Sequence, residues 1–169
     1  MQYNFVLAIL LLSACEPTII VDGNAIPNAP EHIQTALNKY GFNEYQHRTV
    51  LKEYVGVDPK RTEWCAAFVN AVLHESGIPG SESVSDVPLM ARSFLTWGET
   101  IQEPKAGDLV IFPRGKQGWQ GHVGFYVGSI HRNNVEYYRI LGGNQNNSVN
   151  IEIYPASKTL GIRRAPNKY

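Results

Sequence analysis

The spacing of apolar positions changes character partway along the chain, from a helical period to a strand-like one. An unbroken apolar run from Phe5 to Leu12 stands near the N-terminus. From Glu16 to Pro30 the pattern breaks up. Pro17, Pro27 and Pro30 mix there with Asp22, Gly23, Asn24 and Asn28, a density that favours extended irregular chain. Ile19, Ile20 and Val21 offer a short strand inside that segment as the alternative. Pro30 to Tyr40, opened by a proline and closed by Gly41, predicts a helix. A second covers Thr49 to Val55 and stops at Gly56 before Asp58 and Pro59. The best-defined helix is Thr62 to Ser76, with Thr62 as N-cap and an apolar stripe of Phe68, Val69, Val72 and Leu73. Gly77, Ile78 and Pro79 stop it. Pro88 to Trp97 predicts a fourth helix.

From Gly107 onward strands dominate. Asp108 to Phe112, His122 to Gly128, Val135 to Leu141 and Val149 to Tyr154 are short apolar or alternating runs between Gly, Pro and Asn. Their short connections predict antiparallel neighbours. Helices first and strands after predict an α+β fold rather than an alternating βαβ one.

The Phe5–Leu12 run is too short to span a bilayer, which takes about 20 residues, and has the length of the apolar centre of an export signal. No Lys or Arg precedes it, which departs from the usual signal. Leu12, Ser13, Ala14 and Cys15 resemble the lipobox of bacterial lipoproteins. That resemblance implies cleavage before Cys15 and lipidation of its thiol, with an ordinary signal cut nearby as the plainer alternative. Glu16, rather than Asp, follows the cysteine, which in enteric-type sorting implies the outer membrane. The expected division is 1–14 as signal peptide, 15–30 as lipidated cysteine and flexible tether, and 31–169 as one domain in the periplasm. Extended, such a tether reaches about 50 Å, enough for a membrane-anchored domain to explore the wall beside it. Lys plus Arg and Asp plus Glu balance at 15 each, which removes the electrostatic case for nucleic acid as a partner.

The chain has two cysteines, Cys15 and Cys65. With Cys15 lipidated, Cys65 is a lone thiol in an oxidising compartment, hence a candidate nucleophile. A buried core cysteine or a Cys15–Cys65 disulfide are the plainer alternatives. A thiol attacks as thiolate, and a helix N-terminus or nearby imidazolium lowers its pKa. Cys65 falls in the first turn of the predicted Thr62 helix, where unpaired N–H groups also suit a developing oxyanion. His122, at the mouth of a strand after a glycine-rich loop, is the candidate base. His32, His47, His74 and His131 lack partners at metal-ligand spacing, and His74-Glu75 is not followed by the second histidine of a helical zinc site.

Three segments together resemble the CHAP and NlpC-type cysteine peptidases. Thr62 to Asn70 looks like their nucleophile helix, Pro104 to Phe112 like their glycine–aspartate approach to a strand, and Gly121 to Gly128 like their histidine strand. The likeness runs roughly from Thr49 to Arg164. It implies a papain-like α+β fold, with N-terminal helices and a nucleophile at a helix N-terminus packed on a small antiparallel sheet. It further implies hydrolysis of peptidoglycan stem peptides, or of their amide link to the sugar, with no metal or cofactor; we expect a monomer. In that family a polar residue on the following strand orients the base. Some members carry Glu at the position of Gly142 and Asn at that of Asn144. The Glu is missing here, so Asn144 is the expected third catalytic residue and Gln145 the second choice, a turn-forming Asn144 being the plain alternative. Alternation along a strand should keep the two from facing His122 together, unless the glycine bend breaks it. Gln145 is then left for the oxyanion region or the surface, and Trp64 either lines the groove or packs in the core. Asp108 is expected to be structural. Arg114, Lys116 and Trp119 could meet substrate carboxylates, a solvated loop being the favoured reading. The competing function is a catalytically silent wall-binding lipoprotein on the same fold.

Overall fold

The computed structural model describes residues 19–21, 24–26 and 29–166, so the expected export signal and Cys15 lie outside the described residues. Within the expected tether, β1 (Ile19–Val21) and β2 (Asn24–Ile26) pair as an antiparallel hairpin, the alternative reading of that segment. Ile26 and Ala29 are buried in the main core, so the packed domain reaches back before residue 31.

The three predicted N-terminal helices are present as α1 (Glu31–Leu37), α2 (Arg48–Val55) and α3 (Cys65–Glu75). Gly56 ends α2 in the left-handed conformation, φ 74°, as a glycine C-cap can. Helix α3 starts three residues later than Thr62 predicts. The N–H groups of Arg61 and Thr62 both bond to Asp58 O, which winds that stretch into a turn. Trp64 therefore stands at the N-cap and Cys65 is the first helical residue. The expected fourth helix is a 3-10 stretch, Ala91–Thr96; Trp97 leaves it in extended conformation and donates its indole N–H to Pro79 O at 2.9 Å.

Strands β3 (Glu99–Thr100), β4 (Leu109–Pro113), β5 (Gly121–Arg132), β6 (Val135–Gln145), β7 (Ser148–Pro155) and β8 (Gly161–Arg164) form one antiparallel sheet in the order β3-β8-β4-β5-β6-β7. Asn133-Asn134 and Asn146-Asn147 make its tight turns, all four with φ between 50° and 62°. Asparagine is among the few residues that tolerate such φ values, and paired positive φ matches the twist of a hairpin. These turns let β5 and β6 run longer than their apolar cores suggest.

Helix α3 is nearly all apolar and buries Ala66, Ala67, Phe68, Val69, Val72 and Leu73. They join one core with Leu109, Ile111, Val123, Phe125 and Leu141 from the sheet. The opposite sheet face carries a smaller cluster of Val110, Phe112, Ile140 and Ile162, flanked by Tyr126, Tyr138 and Tyr154. With both faces covered, Leu109 to Phe112 is a continuous buried run rather than an alternating one.

Helix and sheet meet most closely at Gly143. A Cβ there would fall 2.5 Å from Trp64 Cζ3 and 2.7 Å from Phe68 Cβ, whereas at Gly142 the nearest atom would be 3.4 Å away. Gly143→Ala should therefore destabilise the fold by about 1–3 kcal/mol through overpacking. Gly142→Ala should cost much less; urea unfolding of both variants measures the difference.

Candidate active site

Cys65 opens α3 and is 3% exposed. Its sulfur takes hydrogen bonds from the backbone N–H groups of Ala66 and Val123. Because Val123 follows His122 on β5, the N-terminal end of α3 abuts the start of the histidine strand. His122 is 1% exposed and lies opposite Phe112 across the β4–β5 pair. Its ring stacks on Tyr154 at 5.2 Å, and Tyr154 stacks in turn on Phe112 at 4.7 Å. Nε2 of His122 lies 3.0 Å from Gln145 Oε1, and Nδ1 is buried without a hydrogen-bond partner.

The Gln145 amide can be oriented from its surroundings. Its Nε2 lies 3.1 Å from Ile140 O, 2.8 Å from Asn150 O and 2.9 Å from Asn150 Oδ1. Those neighbours can accept protons, so the NH2 belongs on that side and Oε1 faces the imidazole. A carbonyl oxygen can only accept, so His122 carries its proton on Nε2 and leaves the Nδ1 lone pair open.

The preferred register is corrected here: Gln145, not Asn144, reaches His122. Gly142 pairs with Asn150 but Gln145 pairs with Ser148, so three steps along β6 match two along β7. One extra residue makes a β-bulge, with Asn144 at φ 56°. The bulge resets the alternation and puts Gln145 on the face Gly142 occupies. The Gln145 amide sits 3.4–3.6 Å from where a Gly142 Cβ would be, close to the space that a glutamate at that position would enter.

Asn144 turns the other way, its Nδ2 donating to Glu63 Oε2 at 2.6 Å. Glu63 also meets Arg114 Nη1 at 3.4 Å, and Arg114 Nη2 donates to Asn144 O at 3.1 Å. Arg114 further hydrogen-bonds the Tyr154 side chain. The solvated-loop reading thus fails for Arg114 but describes Trp119, which is 60% exposed. Trp64 does not line the groove: it is fully buried, and its indole N–H donates to Glu44 Oε2 at 3.1 Å. Gln145 is likewise unavailable to an oxyanion, since its amide is held by His122, Ile140 and Asn150. Asp108 pins structure, accepting from Lys105 N at 2.7 Å and from Arg164 Nε and Nη2 at 2.8 and 2.7 Å. Glu63 and Tyr154 escaped sequence reasoning: Glu63 lies inside the Thr62–Asn70 segment without being singled out, and Tyr154 sits in no motif that flags it.

Burial governs the electrostatics. It pushes the Cys65 thiol pKa up, against the pull of the Arg114 cation and the Val123 and Ala66 amides. Burial and then the Arg114 cation drive His122 down to about 3, and the Gln145 bond only partly opposes them. Both directions favour the uncharged forms of the thiol and of the imidazole. The thiolate expected from the helix N-terminus and an imidazolium is outweighed because both groups have lost their water.

Among the described residues no cluster of three His, Cys, Asp or Glu is placed to hold a metal ion. A cavity of about 690 Å3 opens elsewhere, beside His32, Lys105, Tyr126 and Arg164, and does not include Cys65, His122 or Gln145.

A cysteine at the first residue of a helix, a histidine on an antiparallel strand and a side-chain amide on the next strand is the layout of the papain-like cysteine peptidases. The CHAP domain family matches residues 57–144, a span running from the approach to α3 to one residue short of Gln145, and the chain belongs to that family. Its members are typically cysteine peptidases and amidases directed at peptidoglycan. No curated protein matches the chain.

Stability should depend on pH through His122. The folded state leaves it unprotonated down to about 3, whereas an unfolded histidine takes a proton near 6.5. Between those values the unfolded chain binds the extra proton, so stability falls as pH drops below about 6.5. Buried His32, whose pKa is also lowered by burial, adds in the same direction. The urea midpoint should decline steadily from pH 7 to pH 4, and His122→Gln should flatten that decline. An equally steep decline in the variant would assign it to other groups.

Proposed function

We propose that the protein is a peptidoglycan hydrolase, an amidase or endopeptidase, with Cys65 as nucleophile, His122 as base and Gln145 as the group that orients it. The observation that carries this reading is the open, buried Nδ1 of an imidazole whose Nε2 is held by an amide oxygen. As Cys65 sulfur attacks the scissile carbonyl, its proton passes to His122 Nδ1 and a sulfur–carbon bond forms. Burial favours the neutral thiol, which suits a proton transfer that accompanies attack. Unpaired N–H groups at the start of α3 stabilise the oxyanion. The imidazolium returns its proton to the departing amine, and water then cleaves the thioester with His122 again as base.

Cys65→Ala and His122→Ala should abolish release of soluble fragments from purified peptidoglycan, followed by mass spectrometry, which also identifies the bond. Gln145→Ala should lower turnover by about 10²-fold or more, as lost orientation of a base does. Asn144→Ala, on the far side of the bulge, should do much less. Comparable losses in both variants would refute the assignment of Gln145. Peptidoglycan left intact by the wild-type chain would favour the silent wall-binding reading.

Export and lipid attachment at Cys15 belong to the same proposal, supported by the Phe5–Leu12 run and the lipobox-like Leu12 to Cys15. They would hold a monomeric domain in the cell envelope, at the outer membrane, within reach of the wall. Cys15→Ser should abolish acyl labelling and release the protein from the membrane fraction; unchanged labelling would refute lipidation at that residue.

A further inference from the structure

We propose that Arg114 is a substrate-binding residue that takes a free carboxylate of the peptide near the scissile bond, and that Glu63 occupies its place while no substrate is bound. This rests on the hydrolase reading for the nature of the ligand and adds the feature by which the ligand is selected. Peptidoglycan stem peptides carry free carboxylates beside their amide bonds, so the required chemistry is present in that substrate class.

The geometry carries the argument. Arg114 directly follows Pro113, which pairs with Gly121 next to His122. The same loop therefore leads the guanidinium to the mouth of the site. It is near enough to favour the Cys65 thiolate and to oppose protonation of His122. A guanidinium has five donors in a fork suited to a two-oxygen acceptor. Here one nitrogen meets the Asn144 carbonyl, another meets Glu63, and Tyr154 takes a third contact.

The Glu63 contact is weak for its type. A charge-assisted bond typically spans about 2.7–2.9 Å and is often bidentate. Glu63 offers one oxygen at 3.4 Å, and its side chain is 80% exposed. An exposed pair of that kind contributes little and is easily exchanged. That same oxygen is shared with Asn144 Nδ2. The Arg114 side chain remains 32% exposed, so an outside carboxylate can approach it.

The test measures binding rather than turnover. The full chain carrying Cys65→Ala is titrated calorimetrically with a stem tetrapeptide bearing free carboxylates and with the same peptide as carboxamides. The carboxylate peptide should bind at least about tenfold tighter, a 1.4 kcal/mol difference. Arg114→Gln should erase that preference, and Arg114→Lys should keep part of it. Glu63→Gln, at an exposed side chain that leaves the fold undisturbed, should tighten the carboxylate peptide several-fold and leave the carboxamide unchanged. Equal affinities in the Cys65→Ala chain, no binding of either peptide, or a preference that survives Arg114→Gln would overturn the proposal. Carboxylate preference without peptidoglycan cleavage by the wild-type chain would sink the hydrolase reading alone, and cleavage without preference would sink this one alone.

Discussion

The hydrogen bond between His122 Nε2 and Gln145 Oε1, 3.0 Å long and buried, is the constraint on which the candidate site depends. It holds only because the other end of the amide is anchored to Ile140 and Asn150 across β6 and β7. A rotatable amide would let the imidazole tautomerise and swing; an anchored one fixes both the ring and its proton. The sheet therefore sets the geometry of the candidate site: β7 holds the amide, β6 carries it, β5 carries the imidazole, and α3 brings the thiol against the amide of Val123.

Burial achieves this order at an electrostatic cost. Removing water from Cys65 and His122 favours their uncharged forms, and Arg114 acts on the two in opposite senses. The cation helps the sulfur become an anion while discouraging the ring from becoming a cation. A neutral orienting amide, unlike a carboxylate, supplies no charge to settle that conflict. Burial thus favours the uncharged form of both groups in the free protein.

Much of this was legible in the chain. Glycine and proline punctuation located α1, α2 and the stop of α3, and the clustered strands gave the antiparallel sheet. The sequence places Cys65 at the start of a helix and His122 at the mouth of a strand, and both stand there, on α3 and β5. The short strands β3 and β8 were missed because two to four residues with little apolar content carry no period. The resemblance points to Asn144 because family members carry Asn at that position, and the sequence does not reveal that a bulge after Gly142 turns Gln145 toward His122 instead. Arg114 was underweighted because its partners, Glu63 and Asn144, are 51 and 30 residues away in sequence. Trp64 reads equally as groove or core until its indole N–H is seen on Glu44.

The bulge at Asn144 bears on how related chains are compared. It inserts one residue between the glycines and the amide, so the side chain that faces the histidine is displaced by one column from that of a chain with an unbroken strand. An alignment that equates residues by order would pair Asn144 with another protein's orienting residue and conclude that the role is kept. In space it is Gln145 that reaches the imidazole, its amide lying 3.4–3.6 Å from where a Gly142 Cβ would be. Order along the sequence and position in space then single out different residues as the partner of His122, Asn144 by the first and Gln145 by the second.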